Sequence, residues 1–166
     1  MSTPPSAPPA PARSTPVAAG DTIADFTLPD QDRKDWRLSD AAKRGDVVLC
    51  FFPFAFTGVC GTEMKCITTE MASWQQKGAT VVGISCDSSF VQKAWANAEG
   101  FKHTILSDQH RQVCRALGLY WADMNTTHRA TVVVGKSADG KLTAKWVQTR
   151  EPRNGMSWDE VLSHVA

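Results

Sequence analysis

The sequence feature that most constrains the fold is a continuous run of apolar, β-prone residues at 47–52. Such a run is typical of a strand that is buried on both faces. A short loop follows, and apolar residues then recur at intervals of three and four, at Met64, Ile67, Met71 and Trp74. This spacing predicts a helix from Cys60 to about Lys77, with Gly78 placed to end it. A buried strand that leads directly into a helix indicates an α/β domain.

The rest of the chain alternates between the same two kinds of signal. The patterns predict an N-terminal hairpin, further strands and helices, a second hairpin around Ala-Asp-Gly, and a final helix opened by a Ser-x-x-Glu capping box. In chain order these lie at 26–28 with 36–38, 80–85, 88–98, 104–106, 109–117, 130–134 with 142–147, and from 157 onwards. We therefore predict an α/β fold with a mixed central sheet and helices on both faces.

Composition sets the domain organisation and excludes some classes of function. The first twenty residues hold six of the nine prolines, so we predict a disordered Pro/Ala-rich tail at 1–20 and one domain at 21–166. The 18 basic and 17 acidic residues leave a net charge of +1, which argues against nucleic-acid or membrane binding. No stretch reaches the roughly 18 apolar residues of a membrane span, and we expect a soluble, cytoplasmic protein.

The five cysteines do not suggest a disulfide scaffold, because their number is odd and no CxxC pair is present. Cys60 differs from the others in its position, directly after the loop that follows a buried strand and at the start of a helix. A thiol there faces unpaired backbone N–H groups and the positive end of the helix dipole, which favour the thiolate. By position alone, a reactive nucleophile and an inert helix-capping residue are equally well supported.

The residues around Cys60 carry a recognisable motif. Pro53, Thr57 and Cys60 form Pro-x-x-x-Thr-x-x-Cys within FFPFAFTGVCGTEM, at 51–64. The sequence resembles the peroxiredoxins, and within them the largely one-cysteine branch that includes alkyl hydroperoxide reductase E. Three further segments match in the family order: GISCDSSFVQKAWANAEGF, ILSD and HRATVVVG. The resemblance implies a thioredoxin-like fold and a thiol-dependent peroxidase that reduces hydrogen peroxide and organic hydroperoxides.

The resemblance also assigns roles to particular residues. Cys60 is implied as the nucleophile that becomes a sulfenic acid, Thr57 as a hydroxyl able to bond sulfur and peroxide, and Arg129 as a permanent cationic donor. Pro53 is implied to shield the site, since it has no N–H to compete for the anion. Glu63 matches an acidic position that orients the arginine, although an acidic residue that merely favours the first helical turn is nearly as well supported.

Two interpretations of the step after oxidation remain open. We expect an external thiol or a small redox protein to reduce the sulfenic acid, as in the one-cysteine branch. The alternative is resolution by Cys66, six residues further along the same helix, where about 9 Å of rise opposes a disulfide unless the helix unwinds. Cys50, Cys86 and Cys114 are most simply core thiols.

Other classes of function fit the sequence less well. A thioredoxin-like disulfide oxidoreductase would need CxxC, and a copper-binding module would need CxxxC with a histidine; neither spacing is present. The histidines follow no metal-ligand pattern with the cysteines, and we expect neither a metal nor a cofactor. We expect a homodimer, as in other members of the family.

Overall fold

The structure, a computed structural model, describes residues 8–166, over which strands and helices alternate as the sequence predicts. The strands are β1 Thr27–Pro29, β2 Asp35–Arg37, β3 Val47–Phe51, β4 Thr80–Ser85, β5 Thr104–Ser107, β6 Tyr120–Trp121, β7 Thr126–Thr127, β8 Arg129–Lys136 and β9 Leu142–Arg150. The helices are α1 Leu38–Ala41, α2 Gly58–Thr69, α3 Met71–Gln76, α4 Ser89–Glu99, α5 Gln112–Ala116 and α6 Trp158–Ser163, with a 3-10 turn at Ala122–Met124.

A five-stranded mixed sheet forms the centre, in the order β5-β4-β3-β8-β9. Strand β3 is parallel to β4, which is parallel to β5, whereas β8 runs antiparallel to both β3 and β9. Alternate residues of β3 enter two separate hydrophobic clusters, one on each face of the sheet. Helices α1 and α5 cover one face, and α2, α3, α4 and α6 cover the other, which confirms the predicted α/β arrangement.

Several boundaries differ from the predictions: β9 extends to Arg150 rather than ending at 147, and two differences concern the helix that carries Cys60. The predicted helix at 60–77 is two helices, because the backbone at Glu70 leaves helical geometry, with φ −91° and ψ 15°. Helix α2 also begins at Gly58, two residues before Cys60. The α3 segment still presents Trp74 to the core, and its indole Nε1 donates to the Ile67 carbonyl at 3.1 Å. The apolar spacing therefore continues across the break.

The N-terminal segment also differs from its prediction where the structure describes it. The backbone N–H groups of Arg13 and Val17 donate to the carbonyls of Arg115 and Leu117 at 2.9 and 2.8 Å, and the Val17 side chain is buried. Residues 13–20 thus pack on the domain, which begins before residue 21, because a single apolar anchor and backbone pairing suffice to hold this short stretch. The prediction of disorder for residues 1–7 lies outside the described residues.

None of the helices within residues 8–166 has the length and apolar character that crossing a membrane requires.

Candidate active site

The topology of the sheet brings the two ends of the predicted site together. Strands β3 and β8 are antiparallel, with Phe51 opposite Ala130, so the end of β3 lies beside the start of β8. The loop after β3 leads into α2 and delivers Cys60, whereas Arg129 is the first residue of β8. Two residues that are 69 positions apart in the chain therefore become neighbours.

Cys60 is the third residue of α2 and is only 1% exposed. Its Sγ atom accepts a hydrogen bond from Nη2 of Arg129 at 3.2 Å. The first intrahelical bond runs from the Gly61 N–H to the Thr57 carbonyl, at 2.9 Å. The sulfur thus lies within the first turn, whose N–H groups have no acceptor inside the helix, and beside a guanidinium group. Both features stabilise negative charge on the sulfur.

Arg129 is fixed by three contacts and is 2% exposed. Besides the bond to Cys60, its Nη1 donates to Oε1 of Glu63 in a buried ion pair, and its Nε donates to the Pro152 carbonyl at 3.1 Å. Each nitrogen of the guanidinium group therefore has its own acceptor. This arrangement holds the fork in one orientation, with one arm on the sulfur.

Glu63 lies between two arginines. Its second carboxylate oxygen, Oε2, accepts hydrogen bonds from Nη2 of Arg150 and from the backbone N–H of Met156, both at 3.0 Å. Helix α2 has no acidic residue in its first turn, so Glu63 does not act on the helix dipole there. Of the two interpretations from sequence, the structure therefore supports an acidic residue that positions the arginine network.

The sequence predictions missed Arg150. It ends β9 directly opposite Arg129, and its side chain also donates to the Thr131 hydroxyl and to Gln148 Oε1, both at 3.0 Å. Its pKa is lowered from the usual value, mainly by burial. A guanidinium group nevertheless stays protonated in proteins. The pairing of the two arginines depends on the register of the β8–β9 hairpin.

The charges of this cluster do not cancel without the sulfur. Two guanidinium groups, on Arg129 and Arg150, share the single carboxylate of Glu63, and all three side chains are at most 7% exposed. Among these three side chains one positive charge is left over, although Glu160 also acts on Arg150 from further away, and a buried charge with no counter-ion in contact is costly. The Cys60 sulfur, in contact with Arg129, is the group placed to supply the missing negative charge.

Thr57 and Pro53 are placed in the loop before Cys60, but with contacts that the sequence did not predict. Thr57 is the N-cap residue of α2 and is exposed, and its hydroxyl donates to the Phe54 carbonyl at 2.8 Å rather than to the sulfur. Pro53 is buried, and its carbonyl accepts from the Thr126 hydroxyl at 2.7 Å. The intervening Phe56 adopts a left-handed backbone, with φ 61°. These contacts fix the shape of the loop.

The side chain of Arg129 forms no hydrogen bond with the other four cysteines, and all five thiols are free. Cys66 is half-buried on α2, where burial raises its pKa, and the unbroken helix from Gly58 to Thr69 keeps it apart from Cys60. Cys50 is fully buried in β3, and burial raises its pKa to about 12. Both are poor nucleophiles in this fold.

Comparison with known proteins identifies the family of this chain. Residues 19–145 match the model of the AhpC/TSA family. The chain belongs to this family. Alkyl hydroperoxide reductase E of Mycobacterium tuberculosis is 31% identical over 146 residues, which cover 87% of this chain and 95% of that protein. Peroxiredoxin Bcp of Escherichia coli K12 is 33% identical over 134 residues, covering 76% of this chain and 83% of that protein.

The structural comparison agrees with the sequence comparison. The crystal structure of peroxidoxin BcpB from Mycobacterium tuberculosis superposes with a TM-score of 0.78 at 30% identity, over 89% of this chain and 95% of that one. This peroxiredoxin therefore has the predicted thioredoxin-like fold and is a thiol-dependent peroxidase. The disulfide oxidoreductase and the copper-binding module, which the sequence left as alternatives, are not favoured.

Proposed function

We propose that this AhpC/TSA-family peroxiredoxin reduces hydrogen peroxide and organic hydroperoxides through the thiolate of Cys60. The observation that carries the proposal is the 3.2 Å contact between Arg129 Nη2 and Cys60 Sγ, inside a buried cluster in which two guanidinium groups share one carboxylate. The same guanidinium group that favours the thiolate lies where it can donate to a peroxide oxygen as negative charge develops on it.

The first step is a displacement at oxygen. The Cys60 thiolate attacks one oxygen of the peroxide, a sulfur–oxygen bond forms, and the oxygen–oxygen bond breaks. The departing oxygen takes up a proton to leave as water or an alcohol, and Cys60 becomes a sulfenic acid. We assign Thr57 and Pro53 to shaping the loop around the sulfur, with the Thr57 hydroxyl free to accept a hydrogen bond from the peroxide while it donates to Phe54.

We propose that an external thiol, or a small redox protein, reduces the sulfenic acid. The thiol displaces water to form a mixed disulfide with Cys60, and a second thiol then releases the cysteine. Resolution by Cys66 would require α2 to unwind, because six helical positions separate the two sulfurs by a rise of about 9 Å. The continuity of α2 therefore supports the one-cysteine mechanism.

The free thiols bear on the cellular compartment of the protein. A reactive thiol and four further free thiols fit a reducing compartment, and we propose a cytoplasmic location.

We also propose a homodimer, with the exposed apolar side chains as candidates for the contact with a second copy. They are Phe56, Phe90, Val91 and Met124.

Peroxide consumption by matched variants tests the function. In the presence of excess dithiothreitol, Cys60→Ser should lose the rapid peroxide consumption, whereas Cys66→Ser should keep it. Normal peroxide consumption by Cys60→Ser would overturn the assignment.

Mass spectrometry tests the resolving step. After one equivalent of peroxide and no reductant, dimedone should label Cys60 as a sulfenic acid. A disulfide between Cys60 and Cys66 in the monomer would replace the one-cysteine mechanism with the two-cysteine alternative.

A further inference from the structure

A second pair of cysteines lies outside the site described above. Cys86 directly follows β4, and Cys114 lies within α5, 28 positions later in the chain. Their Sγ atoms are 3.9 Å apart, which is van der Waals contact. Neither thiol has a role in the chemistry of Cys60, so the contact needs its own explanation.

The surrounding structure holds the two cysteines together. Asp108, which follows β5, accepts the backbone N–H groups of Val113 and Cys114 at 3.1 and 2.8 Å and so fixes the start of α5. The backbone N–H of Asp108 donates to the Ser85 carbonyl at 2.8 Å, next to Cys86. The pair is therefore positioned by hydrogen bonds from both sides and does not result from two mobile side chains.

The pair is separated from the peroxidase site by the central sheet. Cys86 and Cys114 belong to the hydrophobic cluster on the α1 and α5 side, whereas Cys60 belongs to the cluster on the opposite face. A direct exchange between Cys60 and either thiol would require the fold to open. Any oxidation of the pair is thus a separate event that consumes its own oxidant.

We propose that Cys86 and Cys114 form a second redox pair, which hydrogen peroxide converts to an intramolecular disulfide. A disulfide bond is about 2.05 Å long, so the sulfurs need to approach by only about 1.9 Å from their 3.9 Å contact. Side-chain rotation of the two cysteines, with a small shift of α5, supplies a movement of this size.

The order of the two steps follows from exposure and from the shared proton. Cys86 is 7% exposed and Cys114 is fully buried, so peroxide reaches Cys86 first. The hydrogen bond from Cys114 is the largest cause that lowers the pKa of Cys86, and the same contact raises the pKa of Cys114. Cys86 attacks the peroxide, its oxygen–oxygen bond breaks, and one water leaves. The Cys114 sulfur then displaces the hydroxyl of the sulfenic acid as a second water. Two thiols and one peroxide give one disulfide and two waters.

A bound metal ion is the competing explanation for two cysteines beside an aspartate. One ligand atom from each of Cys86, Asp108 and Cys114 lies within 4.8 Å of the others. However, this cluster offers three protein ligands, one fewer than the four that a structural zinc site uses. The disulfide needs no further ligand.

Peptide mapping of the full chain tests the proposal. We would use Cys60→Ser, so that the peroxidase site cannot consume the oxidant, treat it with excess hydrogen peroxide, and alkylate the remaining thiols in denaturant before digestion with trypsin. The expected product, in most molecules, is peptide 78–93 linked to peptide 112–115. Treatment with dithiothreitol should separate the two peptides. Cys50, which is fully buried and whose thiol donates to Met156 Sδ rather than to a cysteine, should be recovered as an alkylated thiol in the same sample.

Three other outcomes would overturn the proposal. The first is recovery of Cys86 and Cys114 as alkylated thiols after treatment, and the second is their recovery as separate sulfinic acids. The third is a metal ion in the native mass of the untreated protein, released by a chelator together with the protection of both thiols. Because Cys60→Ser carries no peroxidase nucleophile, each result is independent of the proposed function. Cys114→Ser offers a further check, since it should abolish the linked peptide.

Discussion

Replacing Glu63 with glutamine tests the charge balance of the active site. The substitution keeps the size of the side chain and removes the only carboxylate held between the guanidinium groups of Arg129 and Arg150. The amide oxygen can still accept hydrogen bonds at one of the two carboxylate positions, but the NH₂ group at the other position then faces a donor. The cluster would carry two positive charges in place of one, at a depth where Glu63 is 4% exposed.

The expected loss of stability can be worked from this geometry. Removing one partner of a buried ion pair costs about 3–5 kcal/mol. At roughly 2–4 °C per kcal/mol for a chain of this size, the melting temperature should fall by about 6–20 °C. Because the substitution also weakens the contact that orients Arg129, kcat/KM for peroxide should fall by about 10-fold to 100-fold, the usual effect of changing a residue that orients a functional group.

Urea unfolding followed by tryptophan fluorescence, together with stopped-flow peroxide kinetics, measures both effects. The matched control is Glu99→Gln, which breaks the exposed ion pair with Lys65 and should change the free energy of unfolding by at most about 1 kcal/mol. In a double variant, Arg150→Met should recover at least about 1 kcal/mol relative to the sum of the two single effects, because it restores the charge balance. Additive effects, or equal losses in Glu63→Gln and Glu99→Gln, would refute the reasoning.

Three further predictions follow from other parts of the structure. Burial lowers the pKa of His103 to about 4, below its usual 6.5. The unfolded chain therefore binds a proton between these values that the folded one does not, and stability falls as the pH drops from 6.5 towards 4. Between pH 7 and pH 5, wild type should lose about 2 kcal/mol more than His103→Gln in urea unfolding; equal losses would contradict this. Gly118→Ala would place a Cβ atom by the Thr15 carbonyl, and it should lower the melting temperature more than Gly100→Ala, which has a similar positive φ but open space around it; the excess, about 2 kcal/mol, reflects displacement of residues 13–17. Arg129→Lys should reduce the peroxide rate constant at least tenfold, because one ammonium group cannot bond Cys60, Glu63 and the Pro152 carbonyl from a single fork; an unchanged rate would remove Arg129 from the mechanism.

The fold could be predicted from the sequence, and so could Cys60 and Arg129 as candidate site residues, because these predictions depend on local patterns. Periodicity placed the strands and helices of the central sheet, and the motif with the HRATVVVG segment singled out Cys60 and Arg129. The contacts that complete the site are not local. Glu63 accepts a hydrogen bond from the backbone N–H of Met156, in the loop before α6. No sequence pattern near either residue predicts this contact.

Arg150 was missed because the predicted strand ended at 147, whereas β9 extends to Arg150, and because its position depends on the register of the hairpin. The β8–β9 register shifts by one residue between Val133 and Val134, so Lys136 pairs with Leu142 but Arg129 pairs with Arg150. Extending the hairpin from its turn without that bulge would place Thr149 opposite Arg129 and would turn Arg150 to the other face of the sheet. A bulge of one residue, which was not predicted from the sequence, therefore determines whether the site contains one buried arginine or two.

The same network that favours the thiolate also opposes an internal disulfide. For Cys60 to reach Cys66, the first turns of α2 must unwind, and that movement breaks the contact of Arg129 with the sulfur and all three hydrogen bonds of Glu63. These bonds are charge-assisted and buried, so their loss is more costly than the fraying of an exposed helix end. The bonds between Glu63 and the two arginines do not involve the sulfur, and oxidation of Cys60 leaves them in place. We therefore propose that the sulfenic acid stays in a folded first turn, where the continuity of α2 keeps Cys66 away from it.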